Sequence, residues 1–127
     1  MLDILNTTQT KFNLSKIKLL EIKDYILGKD FELSIVIVGE KKIQNLNKKF
    51  RDKNYTTDVL SFPISNNVGE IFFNQKVAIK KSINFQMAQI EYFYFLMIHS
   101  MLHLKGYEHG TVMEKKEEQI LKRFFGN

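Results

Sequence analysis

Residues 87 to 109 read Met87-Ala-Gln-Ile-Glu-Tyr-Phe-Tyr-Phe-Leu-Met-Ile-His99-Ser-Met-Leu-His103-Leu-Lys-Gly106-Tyr-Glu-His109. To about Leu104 the stretch is apolar nearly all the way round a helical wheel, so it predicts a helix at the centre of the fold rather than on its surface. Gly106 supplies a stop, because glycine adopts the left-handed conformation in which helices commonly end without the penalty a Cβ imposes. His99 and His103 are four apart, so a helix places them on one face with their rings free to aim at one point. A chain reversed at Gly106 would return His109 toward that point. These are the only three histidines in the chain.

A lone histidine in an apolar helix is ordinarily a core residue satisfied by a neighbour, and a pair at i and i+4 leaves the two readings balanced. The glycine and the third histidine at this spacing tip the reading to a metal. Three neutral imidazoles leave a fourth position for water, the arrangement of catalytic zinc sites rather than closed structural ones. The expectation is one divalent metal ion on His99, His103 and His109, with zinc first and nickel, copper or cobalt compatible with the same donors. There is no cysteine, so thiolate ligands and disulfides are excluded.

Upstream, Phe31 to Val38 holds a β-branched run, Ile35-Val-Ile-Val38, that ends at Gly39 and suits a buried strand. Leu2 to Leu5 predicts a short first strand. A helix capped by Asn13 or Ser15 and ending near Gly28 would join the two in a right-handed parallel crossover. From Glu40 to Phe50, Ile43, Leu46 and Phe50 recur at helical spacing among lysines. Asp58 to Phe62 and Glu70 to Phe73 read as strands of a hairpin, with Pro63 ending the first and turn residues between them. A helix follows from Gln75 to about Ile83. Thr111-Val-Met-Glu114 has the form of a capping box, opening a last helix with Met113, Ile120, Leu121 and Phe124 inward. The predicted class is α+β (mixed α/β): a small mixed sheet of about four strands packed with helices around a central metal-binding helix.

The chain has 127 residues, 44% hydrophobic, with eleven Phe, one Pro and no linker-like tract, so residues 1–127 are expected to form a single domain with its own core. Its most apolar run, Tyr92 to Ile98, falls far short of the ~20 residues a membrane span needs, and Met1 to Asn6 lacks the pattern of a signal peptide. A cytoplasmic protein with no membrane partner is expected. The net charge is +5. Any one of its basic clusters (Lys41-Lys42, Lys48 to Lys53, Lys76 to Lys81, Lys115 to Arg123) is explained as a solvated helix face. Their sum favours a polyanion bound through its phosphates.

The spacing His-x3-His-x2-Gly-x2-His also matches metzincin peptidases, which place a glutamate after the first histidine as general base. Here that position is Ser100, which cannot accept a proton at neutral pH, so a peptidase is the weaker alternative. A second set of residues separates the readings. Asn47-Lys-Lys-Phe-Arg51, then Thr57-Asp58-Val59-Leu60-Ser61-Phe62-Pro63 and Gly69-Glu70-Ile71, together with His99-x3-His103-Leu-x-Gly106-Tyr107-x-His109, resemble the YbeY family. These are bacterial proteins of ribosomal RNA maturation, described as single-strand endoribonucleases. The resemblance runs from about residue 43 to the C-terminus. Where the family usually has Gly after the first histidine, Asp before the third and Tyr before the arginine, this chain has Ser100, Glu108 and Phe50.

The resemblance implies a zinc-like ion on His99, His103 and His109, and an Arg51 that faces the metal cleft near the strand starting at Asp58. It further implies a single-strand-specific, metal-dependent endoribonuclease acting in ribosomal RNA processing (16S rRNA 3′ maturation) and ribosome quality control. Its substrate would be single-stranded pre-rRNA, and its partners the small ribosomal subunit and a ribosome-associated GTPase. Arg51, His99, His103 and His109 are then the catalytic set. Arg51 also has a physical case of its own, since a guanidinium fork matches the charge gathering on a phosphodiester in its transition state. Asp58, Ser61 and Pro63 read as structural, and Glu108 as support for a histidine or a proton shuttle. The alternative of another class is a non-catalytic ribosome-assembly factor with a structural metal.

Overall fold

In the computed structural model, which describes residues 1–126, the chain runs β1 (Leu2–Asn6), α1 (Lys16–Leu27), β2 (Glu32–Ile37), α2 (Glu40–Arg51), β3 (Val59–Ser65), β4 (Val68–Phe73), α3 (Gln75–Asn84), α4 (Gln89–Lys105) and α5 (Thr111–Phe125). The expected domain end, Asn127, lies outside the described residues. The four strands form one mixed sheet in the order β1-β2-β4-β3, an α+β fold as the pattern predicted. β1, β2 and β4 are parallel, and β3 is antiparallel to β4. The hairpin forms as expected, but β4 inserts beside β2 and leaves β3 at the edge.

That placement corrects the reading of Pro63. The proline does not end β3. It lies inside the strand opposite Gly69, just before a register irregularity between Pro63 and Ser65. An edge strand has one side without a partner, so a residue lacking an N–H is tolerated there.

Strand alternation builds the core. Leu33, Ile35 and Ile37 of β2 pair in register with Gly69, Ile71 and Phe73 of β4, and Leu2 and Ile4 of β1 extend the same face. The β2 and β4 residues of this set are buried, whereas Ser34 and Val36 on the other face are half-buried. The β-branched run is thus closed on one face rather than on both. Leu19, Ile22 and Ile26 of α1 join Phe93, Met97 and Met101 of α4 in the same cluster. Phe93 meets Phe73 edge-on, with ring centroids 4.9 Å apart.

α1 is capped by Ser15, not Asn13: the Ser15 hydroxyl accepts from the Lys18 N–H at 3.2 Å. A lysine that no periodicity marks as apolar, Lys23, is fully buried. Its ammonium donates to the carbonyls of Phe31 at 2.7 Å and Lys29 at 3.3 Å and pairs with Asp24 at 2.9 Å, which ties α1 to the entry of β2. On α2, Ile43 is buried as expected, but Phe50 is 52% exposed and rests edge-on against Phe62. The buried partner of Ile43 is Asn47, one turn on, whose amide donates to the Tyr55 carbonyl at 3.0 Å and holds the segment between α2 and β3. The capping box does not form. Gly110 is the N-cap of α5 with no side-chain cap bond, and Thr111 is already inside the helix.

α4 is buried at Tyr92 to Tyr94, Leu96 to Ile98 and Ser100 to Leu102, positions that wrap around most of the helix and leave the stripe of Phe95, His99 and His103 half-buried. It packs against α1, α3, α5 and β3. The apolar pattern is therefore met by neighbours on all sides except the stripe of Phe95, His99 and His103, which lines a cleft. Ile35, completely buried at the middle of the sheet, reports on this packing. Ile35→Ala is expected to lower stability by about 2–5 kcal/mol. The check is urea denaturation, with the midpoint falling and the slope unchanged.

Candidate metal centre

The site begins where α4 stops. Gly106 takes φ +112°, its N–H donates to the His103 carbonyl at 3.0 Å, and the Tyr107 N–H donates to the Leu102 carbonyl at 3.0 Å. These are the two bonds of a Schellman ending. The turn returns His109 beside the end of the helix, with ring centroids 4.6 Å from His103 and 5.2 Å from His99. His99 and His103 are 4.6 Å apart, one turn up the same face. All three histidines contribute a donor nitrogen to a group lying within 4.8 Å of one another, with His99 and His103 half-buried and His109 exposed. The convergence expected from the spacing is present.

Hydrogen bonds fix which nitrogens face inward. His103 Nδ1 lies 3.0 Å from the Tyr107 carbonyl, which can only accept, so Nδ1 carries the proton and Nε2 keeps its lone pair. His99 Nδ1 lies 2.5 Å from Glu117 Oε2, and the carboxylate orients that ring in the same way. The two Nε2 atoms then stand 3.2 Å apart. At that distance either one Nε2–H donates to the other nitrogen or both lone pairs share a cation. Nitrogens ~2.0–2.1 Å from a tetrahedral zinc stand about 3.3 Å from each other, so the His99–His103 pair fits the ion, and His109 lies near enough to complete the set. Burial pushes the His103 imidazole below its ordinary pKa, opposed by the Tyr107 carbonyl and reinforced by the neighbouring imidazoles. The neutral form is the one that ligates.

Glu117 was not singled out from the sequence. It is 5% exposed and lies on the inward stripe of α5 between Met113 and Ile120. A charged residue at an apolar-stripe position was the available signal, since Glu is almost never fully buried unless paired. Glu108, for which support of a histidine was expected, is exposed and bonds to none of the three rings among the described residues. Its neighbour position in the chain does not aim it at the site, and Glu117 provides the support instead.

The histidines line one wall of a cleft of about 550 Å³, and Arg51 lines the other. Arg51 ends α2. Its Nη2 donates to the Ser61 carbonyl at 2.7 Å, and its guanidinium lies 4.7 Å from the centre of the Phe62 ring. One donor is thereby used for anchoring and the rest of the fork stays available. Asp58 is structural in its contacts: its carboxylate accepts from the Tyr92 hydroxyl at 3.1 Å and pairs with Lys81 at 3.5 Å, and its carbonyl accepts from the Asn74 N–H. Burial first, and then the Asp58 charge, push the Tyr92 phenol above its ordinary pKa. Ser100 is buried and its hydroxyl has no partner among the described residues. No helix is long and apolar enough to cross a membrane among those residues.

A family model described as endoribonuclease YbeY matches residues 4–125. The endoribonuclease YbeY of Nautilia profundicola is 34% identical over 130 residues, covering 97% of this chain and 91% of the relative. That of Clostridioides difficile is 33% identical over 144 residues, covering 94% of each. A solution structure of a Thermotoga maritima protein superposes with a TM-score of 0.67 at 26% identity, covering 98% of this chain and 89% of the other.

The two acids give a discriminating pair of substitutions. Glu117→Gln should weaken binding of zinc or cobalt about 10- to 100-fold, because the carboxylate orients a ligand ring. Glu108→Gln should leave it unchanged. Calorimetric titration of metal into chelator-treated protein checks both, and equal losses in the two variants would show that the geometry around His99 is misjudged.

Proposed function

Since this chain belongs to the endoribonuclease YbeY family, we propose that it is a single-strand-specific, metal-dependent endoribonuclease that hydrolyses RNA phosphodiester bonds at the three-histidine cleft. The observation that carries the reading is the pairing of three converging imidazoles with an anchored guanidinium across one cleft. His99, His103 and His109 would hold the ion, zinc by preference for imidazole donors. A bound divalent ion supplies Lewis-acid polarisation of a phosphoryl oxygen and a nucleophile generated from water near neutral pH.

The chain's own groups do the rest. Glu117 and the Tyr107 carbonyl hold two rings in the tautomer that points Nε2 into the cleft. Arg51, fixed by the Ser61 carbonyl and the Phe62 ring, presents its free donors to the charge that gathers on the non-bridging oxygens. Lys53 and Lys81 line the same cleft and supply phosphate contacts for the flanking strand. Because α2 and α4 carry the two walls, the positions of Arg51, His99 and His103 are set by packed helices, and His109 is placed by the turn that follows α4.

The net charge of +5 and the family likeness support a role in ribosomal RNA processing at the 3′ end of 16S rRNA and in ribosome quality control, in the cytoplasm, with the small ribosomal subunit and a ribosome-associated GTPase as partners. We read residues 1–127 as one domain for that task.

The test is cleavage of single-stranded RNA by protein purified without an affinity tag, with and without chelator. Chelator is expected to abolish cleavage, and His103→Ala to remove cleavage while RNA binding persists. Arg51→Ala is expected to lower kcat about 10²- to 10³-fold with metal content unchanged. Chelator-insensitive cleavage would point to a contaminating nuclease. Metal-loaded protein that binds RNA and never cuts would leave a docking factor. Product end groups identify the nucleophile, since a 2′,3′-cyclic phosphate rules out direct attack by water.

A further inference from the structure

The cleft has a second chemistry besides its cations. From the metal centre outward, three rings of α4 and Phe85 beyond them form a column: His99 to Phe95 at 5.8 Å and 31°, Phe95 to Tyr92 at 5.9 Å and 24°, and Tyr92 to Phe85 at 5.8 Å and 37°. Tyr92 is buried, but the last ring, Phe85, is 62% exposed at the rim of the same cleft. One edge of this ring packs on Tyr92, and the rest offers an apolar surface to a flat ligand in a cleft also lined by cations.

The backbone holds that ring in place. Phe85 is the C-cap of α3, and its N–H donates to the Lys81 carbonyl at 3.0 Å. The next two N–H groups, of Gln86 and Met87, donate to Ile83 and Ser82 at 3.1 and 2.9 Å. Gln86 sits at φ +57°, a conformation that side-chain-bearing residues rarely adopt. Among the described residues the other non-glycine residue with positive φ is Asp52, at +54°. Each directly follows a residue that lines the cleft, Arg51 in one case and Phe85 in the other. Strain of this kind concentrates where a site needs a fixed position.

Resting on the endoribonuclease reading, we propose that Phe85 is a stacking platform for one unpaired nucleobase of the RNA strand, and that it contributes to the preference for single strands. Arg51, Lys53 and Lys81 line the same cleft and meet the phosphates, while the flat exposed face of Phe85 meets a base. A base inside a duplex has both faces covered by its neighbours and cannot offer one to the ring. Selectivity then arises from an apolar face that only an unpaired base can use, alongside phosphate contacts that either form of RNA can make.

The test is a fluorescence titration of single-stranded oligoribonucleotides carrying 2-aminopurine, using chelator-treated protein, followed by cleavage kinetics with the metal-loaded protein. Phe85→Ala and Phe85→Leu are expected to bind roughly 5- to 150-fold more weakly, to lose the quenching of the stacked base, and to raise KM more than they lower kcat. Phe85→Trp, which restores a flat ring, should recover quenching and affinity. Binding of duplex RNA should be the same in all four proteins. An unchanged affinity in Phe85→Leu, or an equal loss for duplex RNA, overturns the platform while leaving the nuclease reading intact. Wild-type protein that neither binds nor cuts single-stranded RNA overturns both.

Discussion

Burial of α4 everywhere except the stripe of Phe95, His99 and His103 that faces the cleft is the constraint on which the molecule depends. A helix enclosed by α1, α3, α5 and β3 cannot roll or slide without opening cavities, because Met97, Ile98 and Met101 are already without solvent contact. Two histidines one turn apart on such a helix keep a fixed separation, and the Schellman turn after it sets the third. The apolar core thus fixes the geometry of the polar site.

The polar contacts around the rings refine what the core positions. A backbone carbonyl and a buried carboxylate are different partners, yet both take the proton on Nδ1 and leave Nε2 bare. The carboxylate comes from α5, so the helix that closes the core also sets the tautomer of a residue on α4. Stability and ligand orientation share one packing contact. This is why a lining of hydrophobic residues such as Met113 and Ile120 can carry an acid between them.

Periodicity made the elements legible: the β-branched run at Ile35, the all-round apolar helix before Gly106, and the spacing of His99, His103 and His109 all read through to the structure. Long-range partnership was less legible. Nothing local in Asp58 to Phe73 says that the later strand of the hairpin sits inside the sheet, so the local pattern alone makes Pro63 a stop. Polarity alone hid Lys23, a charge buried by carbonyls just past its own helix, and marked Glu117 only as a charge in an apolar stripe, without the distant histidine that it supports. The apparent capping box at Thr111 failed because the chain arrives through Gly110 at φ +150°, which starts the helix one residue early. Glu108 was adjacent in sequence and distant in effect, since the turn that brings in His109 leaves it facing solvent.

The edge position of β3 has a consequence for solubility. A strand with one bare side invites another chain to add to it, and natural sheets obstruct that with proline, irregular register or charge. Here Pro63 removes a donor, the register irregularity beside it distorts the rim, and Arg51 occupies the Ser61 carbonyl that an incoming strand would seek. Whatever chemistry the arginine serves, it also acts as a sentry against self-association. A variant lacking it would expose a sticky border as well as a weakened cleft, so loss of function there and a tendency to aggregate should travel together.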